Sequence, residues 1–273
     1  MHIWQADFYK RTQPNAQGEL VWSLLICDAD GNTICEAECP QSAASSEWLT
    51  EQLQTALRQH PRPEQLQAFR PQSVNLLAIA AEKLDLAVEP TRHTPALKQA
   101  LETRAVTAVL EKPPPRPLPD NLWGETWRFA ALPAGELTAF RDRPLPVLDW
   151  PPDLDLLTSG LAFDLPIPGL IVYGGRRSLQ LVQWLTAVRP VALNYIPTND
   201  RRAGGLVLEA GLVERWVLLT FEDPEVARAA KNFHQRLQAS HGLHFLLVQP
   251  DDSGMTYTGF WLLRQEAASE LAG

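Results

Sequence analysis

The sequence predicts a mixed α/β protein of two domains. Its 273 residues exceed the usual size of one domain, about 100 to 150 residues, and 45% of them are hydrophobic, which is enough to fill two cores. Five prolines within 113–119 remove backbone donors and favour an extended spacer. We therefore predict an N-terminal domain over 1–111, a proline-rich linker over 112–120 and a C-terminal domain over 121–273.

In the N-terminal domain, apolar and alternating segments predict an antiparallel meander of three strands, with turn residues at 28–32 between the second and third. Ser45 or Ser46 can cap the helix that follows. The predicted elements are strands over 2–10, 20–28 and 33–39, a helix over 47–59, a strand over 66–70, a helix over 73–84, a strand over 86–89 and a helix over 95–104. This order, βββαβαβα, matches a ribonuclease H-like topology.

That topology raises the possibility of two-metal phosphodiester chemistry, which needs clustered carboxylates. Asp7 on the first strand is one candidate, and Glu47 or Glu51 on the first helix is another. The fourth strand, however, ends in Arg70, a cation that competes with a metal ion. We therefore predict a non-catalytic version of the topology without catalytic residues, metal or cofactor. A metal-dependent nuclease using Asp7 and Glu47 is the alternative.

The C-terminal domain is predicted to be a mixed sheet with helices. Asp223 and Pro224 form an N-cap and N1 pair, and Gly242 ends the same helix. The predicted strands lie over 169–173, 191–196, 205–209, 214–221, 244–249 and 257–264, and the helices over 178–188 and 223–240. The proline-rich segment 144–168 is predicted to be a long irregular loop.

Arg176 and Arg177 follow a glycine pair between a predicted strand and a helix N-terminus. Free amides and the helix dipole favour an anion there, and two guanidinium groups add phosphate donors. The segment lacks the glycine spacing of a nucleotide P-loop or a dinucleotide fold, which argues against an NTPase or a dehydrogenase. The alternative is a tight turn with two solvated arginines.

Arg201 and Arg202 lie in a second charged loop, followed by Gly204 and Gly205. They offer a second phosphate contact, although solvated loop charges are the alternative. Because 176–177 precede a strand that this loop follows, we expect the two arginine pairs at opposite ends of that strand.

Trp261 lies in the last predicted strand, where period two places it with Leu263 on one face and Leu262 on the other. Both faces are largely apolar, which predicts a strand inside the sheet and a structural role. The alternative is an exposed indole that stacks on an unpaired base.

The formal net charge of -8 excludes a globally cationic surface, so any contact with nucleic acid must use a local patch. The odd set Cys27, Cys35 and Cys39 does not resemble a secreted disulfide framework, and small buried hydrophobic residues are the favoured interpretation. His241 and His244 form a weak metal signal because no third ligand is suitably spaced.

Several motifs resemble a known family. They are Gly259-Phe260-Trp261-Leu262-Leu263-Arg264, Tyr173-Gly174-Gly175-Arg176-Arg177-Ser178, the segment 214–221 and the segment 242–250. On these residues the chain is similar to the Tab-two-like family of oxygenic phototrophs, whose hallmark is the C-terminal Trp-Leu-Leu tripeptide. The resemblance implies an RNA-binding protein, not an enzyme, that promotes translation or biogenesis of photosystem I subunits. Photosystem II subunits are the wider alternative.

The resemblance also implies partners and site residues. The partners are A/U-rich messenger RNA of photosystem subunits and photosystem assembly or translation factors. The residues expected to bind RNA are Arg176, Arg177, Arg201, Arg202, Tyr173 and Arg92. A protein-interaction scaffold for photosystem assembly, without direct RNA binding, is the alternative function.

The chain contains no apolar run of the roughly 20 residues needed to cross a bilayer, so we predict no transmembrane segment. Its N-terminus, Met-His-Ile-Trp-Gln, reads as a strand rather than a signal or transit peptide. We therefore expect a cyanobacterial protein of the cytoplasm, with any membrane contact at the periphery of the thylakoid.

Overall fold

The computed structural model of the chain describes residues 2–15, 18–106, 112–122, 124–151, 154, 160–197 and 203–265. The chain forms two compact units. Unit 1 contains Met1–Glu111 together with Gly211–Val213, and unit 2 contains Lys112–Ala210 together with Glu214–Gly273.

Unit 1 contains a five-stranded sheet in the order β3-β2-β1-β4-β5. Its strands are β1 (Ile3–Lys10), β2 (Val21–Asp28), β3 (Thr33–Pro40), β4 (Gln65–Ala68) and β5 (Ala87–Pro90). β1 pairs antiparallel with β2 and parallel with β4. The carboxyl ends of β1 and β4 therefore lie at the same end of the sheet.

Three helices cover both faces of this sheet: α1 (Ser46–Gln59), α2 (Pro71–Glu82) and α3 (Pro95–Thr103). The Ser45 hydroxyl accepts a hydrogen bond from the amide of Trp48, 3.3 Å away, and so caps α1 as expected. Side chains of α1 and α2 pack with Trp4 and Phe8 on one face of β1. α3 packs on the other face, in a smaller cluster that Tyr9 borders.

The elements of unit 1 follow one another in the predicted order, and their bounds lie within two residues of the predicted ones where a helix begins or ends. This agreement arises because each helix begins at a local signal: a serine cap for α1, and proline at the first position for α2 and α3. The likeness to ribonuclease H stays a prediction.

Unit 2 contains two sheets, in the orders β10-β11-β12-β6 and β7-β9-β13-β14-β8. The strands are β6 (Arg116–Pro117), β7 (Thr126–Pro133), β8 (Val147–Asp149), β9 (Pro166–Tyr173), β10 (Pro190–Pro197), β11 (Gly204–Ala210), β12 (Glu214–Phe221), β13 (Leu243–Gln249) and β14 (Gly259–Arg264). The helices are α4 (Ala134–Arg141), α5 (Ser178–Val188) and α6 (Pro224–Ala239). The mixed α/β class predicted from the sequence is confirmed.

The five-stranded sheet of unit 2 is buried on both faces. Leu170, Leu246 and Trp261 pack on the face that α5 and α6 cover. Phe245 and Phe260 directly precede Leu246 and Trp261, so their side chains point the other way and pack on the opposite face with side chains of α4. Two apolar faces explain why β9, β13 and β14 read as continuous hydrophobic runs in the sequence.

Four elements of unit 2 were not predicted: β6, β7, α4 and β8. β8 lies within the predicted loop 144–168 and exists as a strand through its pairing with β14. Likewise β6 lies in the proline-rich segment 112–120 and pairs with β12. Strands distant in sequence pair with β6 and β8 and so define them, which is why local patterns could not reveal these two strands.

Among the described residues, no helix is both long and apolar enough to span a membrane.

Candidate nucleic-acid interface

One end of the five-stranded sheet in unit 2 gathers several loops. β9 and β13 run parallel, with Tyr173 opposite Gln249 at their carboxyl ends. β7 runs antiparallel to β9 and begins at the same end, with Thr126 opposite Tyr173. The loops 174–178 and 250–258 therefore leave the sheet side by side. Ligands of α/β sheets commonly bind outside the carboxyl ends of parallel strands.

The Gly174-Gly175 turn is held by the neighbouring loop. The amide of Gly174 donates to the carbonyl of Gln249, and that of Gly175 to the carbonyl of Pro250, each at 2.9 Å. Gly175 has a φ of 52°, in the left-handed region that glycine adopts without strain. Because both glycine amides are already bonded, they are not free for an anion, in contrast to the expectation from sequence.

Arg176 and Arg177 remain available. They end a short 3-10 turn that leads directly into α5, and both side chains are exposed. Within the described part of the chain, neither guanidinium group has a hydrogen bond or an ion pair. Two free guanidinium groups beside the positive end of the α5 dipole can each donate to a phosphate oxygen.

Glu125 adds a negative charge that the sequence analysis missed. A Cβ atom placed on Gly175 would collide with the carboxylate of Glu125, which therefore lies directly against this glycine. The amide of Glu125 donates to the carbonyl of Tyr173 at 2.8 Å, which fixes its position at this end of the sheet. Since β7, which begins directly after Glu125, was not predicted, nothing in the sequence placed Glu125 against this turn.

Tyr173 and Arg92, both predicted to bind RNA, are buried. Tyr173 is 6% exposed, and its hydroxyl accepts a hydrogen bond from Arg128 Nε at 2.7 Å. Arg92 is 9% exposed and donates through Nε to the carbonyl of Leu212 at 2.6 Å. Buried side chains present no surface to a macromolecule, so neither belongs to the interface proposed below.

Arg201 and Arg202, the second predicted phosphate contact, lie outside the described residues. Their role in binding RNA stays a prediction.

The Trp261-Leu262-Leu263 segment lies inside the sheet, where its side chains are 1%, 2% and 3% exposed. The indole of Trp261 fits against Gly259: a Cβ atom there would lie 2.7 Å from Cη2. In this position the indole packs in the core and has no free face on which a base can stack.

Asp7, the carboxylate suggested for the alternative nuclease function, is already paired. Arg70 Nε donates to Asp7 Oδ2 at 2.7 Å, and the Asp7 side chain is fully buried. Burial raises the pKa of Asp7, while the nearby Arg70 acts in the opposite direction. Glu47 is exposed and pairs with Lys83 at 3.3 Å. Among the residues that the structure describes, no three His, Cys, Asp or Glu side chains are grouped to hold a metal ion.

His244, half of the weak metal signal, is a core residue. Its Nε2 accepts a hydrogen bond from the amide of Leu193 at 2.8 Å, and its Nδ1 lies 2.8 Å from the carbonyl of Gly242. These bonds assign the neutral tautomer with the proton on Nδ1. Complete burial lowers the pKa of His244 to about 4. Both ring nitrogens are therefore engaged, and the bond to Nε2 joins β13 to β10.

All three cysteines are free thiols; Cys27 and Cys39 are buried and Cys35 is half-buried. Burial raises the pKa of each thiol. They therefore act as small apolar side chains in unit 1.

Two family profiles match the chain. One, described as the N-terminal domain of RNA-binding protein Tab2/Atab2, matches residues 3–104. The other, described as the C-terminal domain of the same protein, matches residues 105–264.

Curated relatives align over most of the chain. A protein from Arabidopsis thaliana named "Protein TAB2 homolog, chloroplastic" is 28% identical, over 95% of this chain and 74% of its own length. A Zea mays protein of the same name is 27% identical, over 95% of this chain and 70% of its own length.

A solved structure of a simian T-cell lymphotropic virus intasome with PP2A regulatory subunit B56 gamma aligns with 38% of this chain and 37% of its own. Its 16% identity and TM-score of 0.28 are too low to support an argument. The two family profiles together cover nearly the whole sequence, and the chain therefore belongs to the family of RNA-binding protein Tab2/Atab2.

Proposed function

We propose that the protein binds single-stranded RNA through the end of the unit 2 sheet that carries Arg176 and Arg177. The observation that supports this most directly is the pair of exposed guanidinium groups, which have no partner among the described residues. Membership of a family described as RNA-binding agrees with it.

The charge of the chain favours a small contact. With a formal net charge of -8, the molecule as a whole repels a polyanion, so attraction must come from a local group of cations. Phosphate contacts supply affinity without reading the sequence, and specificity for single-stranded RNA requires contacts with splayed bases.

We propose further that the bound RNA is an A/U-rich messenger RNA of photosystem subunits, whose translation or assembly the protein promotes. The chloroplast proteins named above support a photosynthetic setting. The site of action in this proposal is the cytoplasm at the periphery of the thylakoid, together with translation or assembly factors. Catalysis forms no part of this function.

The test is RNA binding as a function of salt, with the double variant Arg176→Ala/Arg177→Ala. Each lost phosphate contact reduces the slope of log K against log salt by about 0.7 for a single strand, so the slope falls by about 1.4. At 0.1 M salt the affinity falls by about 25-fold. Binding is measured by fluorescence anisotropy with a labelled A/U-rich leader, and duplex DNA is the competitor.

The matched control is Arg236→Ala/Arg264→Ala. Both side chains are exposed, and Arg264 lies opposite Leu243, at the other end of the same sheet. Removing the same charge there leaves the slope within about 0.3 of the wild type. If both double variants change the slope equally, net charge alone controls RNA binding, and the proposed interface at Arg176 and Arg177 is contradicted.

Absence of RNA binding by the wild type would contradict the proposal and favour the assembly scaffold. A pull-down of photosystem assembly factors that survives ribonuclease treatment would support that alternative.

A further inference from the structure

Unit 1 contains a cavity that the proposed function does not use. It has a volume of about 760 Å³ and lies where β1 ends, beside Arg70, the second residue after β4. Its wall includes Tyr9, Lys10, Arg11, Trp22, Arg70 and Arg104. A volume of this size is typical of pockets that hold small organic ligands.

The charged side chains of the wall are all cations, and three of the four form ion pairs with carboxylates. Arg104 pairs with Glu36 at 2.7 Å, Arg11 pairs with Glu38, and Arg70 pairs with Asp7. Lys10 is exposed and has no partner among the described residues. Four cations against three carboxylates leave a local excess of positive charge in a chain that is acidic overall.

The wall also includes aromatic rings from both faces of β1. The guanidinium carbon of Arg70 lies 5.6 Å from the ring centre of Tyr9, and Trp22 packs against Phe8 with ring centres 5.0 Å apart. Tyr9 and Trp22 are both half-buried, so each is held by packing while part of it remains exposed. Burial raises the pKa of Tyr9, which is therefore a neutral phenol at pH 7.

We propose that this cavity binds a nucleotide, with the phosphate at Lys10 and Arg11 and the base against the ring of Tyr9. Cations supply the phosphate contact, and an aromatic face supplies stacking that tolerates any base. The charge of Arg70 in this wall is compensated by the buried Asp7. This inference rests on the proposed function in that the nucleotide belongs to a single-stranded RNA; a free mononucleotide is the other source.

The experiment is isothermal titration calorimetry of the full chain with AMP, UMP, inorganic phosphate and a single-stranded 12-nucleotide A/U RNA. Lys10→Ala removes the free cation and is expected to weaken binding of AMP, UMP and RNA about five-fold. Tyr9→Leu removes the ring and is expected to weaken these ligands about five- to ten-fold, whereas Tyr9→Phe retains wild-type affinity. Arg58→Ala, an exposed cation on α1 away from the cavity, is the control.

Each outcome separates this inference from the proposed function. RNA binding that is unchanged in both Lys10→Ala and Tyr9→Leu overturns the cavity but leaves RNA binding intact. Lys10-dependent binding of mononucleotides without RNA binding supports the cavity as a free nucleotide site and overturns the function. Inorganic phosphate that binds as tightly as AMP shows an anion site only and overturns the nucleotide assignment. A urea midpoint equal to that of the wild type confirms that each variant is folded.

Discussion

The two units place arginines at the same kind of position but treat their charge differently. In unit 1, Arg70 follows β4, which is parallel to β1, and it is paired with the buried Asp7. In unit 2, Arg176 and Arg177 follow β9, which is parallel to β13, and no carboxylate within the described part of the chain pairs with them. The carboxyl ends of parallel strands therefore present cations in both units, but among the described residues the pair in unit 2 has no carboxylate partner.

The two units also differ in the ionisable groups that they bury. Unit 1 buries an acid whose charge needs a cation, and unit 2 buries His244, which is neutral. As the pH falls, protonation of Asp7 therefore favours the folded state of unit 1, whereas protonation of His244 opposes the folded state of unit 2. An arginine that compensates a buried carboxylate is committed to that partner, whereas an arginine without one is available to a ligand.

Replacing Arg70 with Ala removes the cation that compensates the buried carboxylate of unit 1. This change is expected to have the largest effect on stability. Asp7 loses its cation while fully buried, so the free energy of unfolding at pH 7 falls by about 3 kcal/mol. Because the pKa of Asp7 is already raised by burial and rises further without Arg70, the loss diminishes as acid protonates the carboxyl group. Urea unfolding at pH 7 and pH 5 measures both effects.

Adding Asp7→Asn to this variant should recover part of the stability, and the loss that remains relative to the wild type should be the same at both pH values. A single Arg70→Ala variant that loses the same free energy at both pH values would contradict a buried charge as the cause.

Acid titration of unit 2 gives the next largest effect. The unfolded chain protonates His244 below its ordinary pKa of 6.5, whereas the native protein resists protonation down to about pH 4. Stability is therefore lost as the pH falls from 6.5 to 4, and the loss amounts to about 3 kcal/mol. Hydrogen exchange followed by mass spectrometry should show protection falling in β13 and β10 of unit 2.

His244→Gln removes this titration, and the variant should lose less stability than the wild type between pH 6.5 and 4. His234→Gln, at an exposed position on α6, is the control and should follow the wild-type curve. Equal pH dependence in the wild type and His244→Gln would show that other groups control the response.

Glu125→Gln changes the charge beside the Gly174-Gly175 turn of unit 2 and is expected to have the smallest effect, a change in RNA affinity. It removes the one carboxylate known to lie against Gly175 and so increases the attraction of this end of the sheet for phosphate. RNA affinity at 0.1 M salt should rise by about two- to five-fold, as expected for a solvent-exposed charge. Anisotropy measures the rise, and it should vanish in the Arg176→Ala/Arg177→Ala background if the carboxylate acts on those arginines.

Local signals explain how much of unit 1 was predictable. The Ser45 cap and the prolines at the start of α2 and α3 fix where helices begin. Period-two alternation of Trp4, Ala6 and Phe8 marks β1. The burial of Trp261 also follows from apolar residues on both faces of its strand. In contrast, β6 and β8 are two and three residues long and form only by pairing with distant strands.

The candidate sites show the same division. The sequence indicated that Arg176 and Arg177 follow a strand and precede a helix, but not that Glu125 lies against their turn. It marked Tyr173 and Arg92 as ligands, although packing buries both. Cavities and buried pairs depend on side chains brought together from distant segments, such as Asp7 and Arg70, which are 63 residues apart.

The sequence by itself determined the mixed α/β class, most elements of both units and the family, because periodicity, caps and motifs are properties of short segments. Only the tertiary structure decided which charges are compensated. It paired Arg70 with Asp7, left Arg176 and Arg177 exposed and kept His244 neutral. The physical reason is that the cost of a charge depends on its solvent exposure and on the groups within a few ångströms of it, and the folded chain alone sets both.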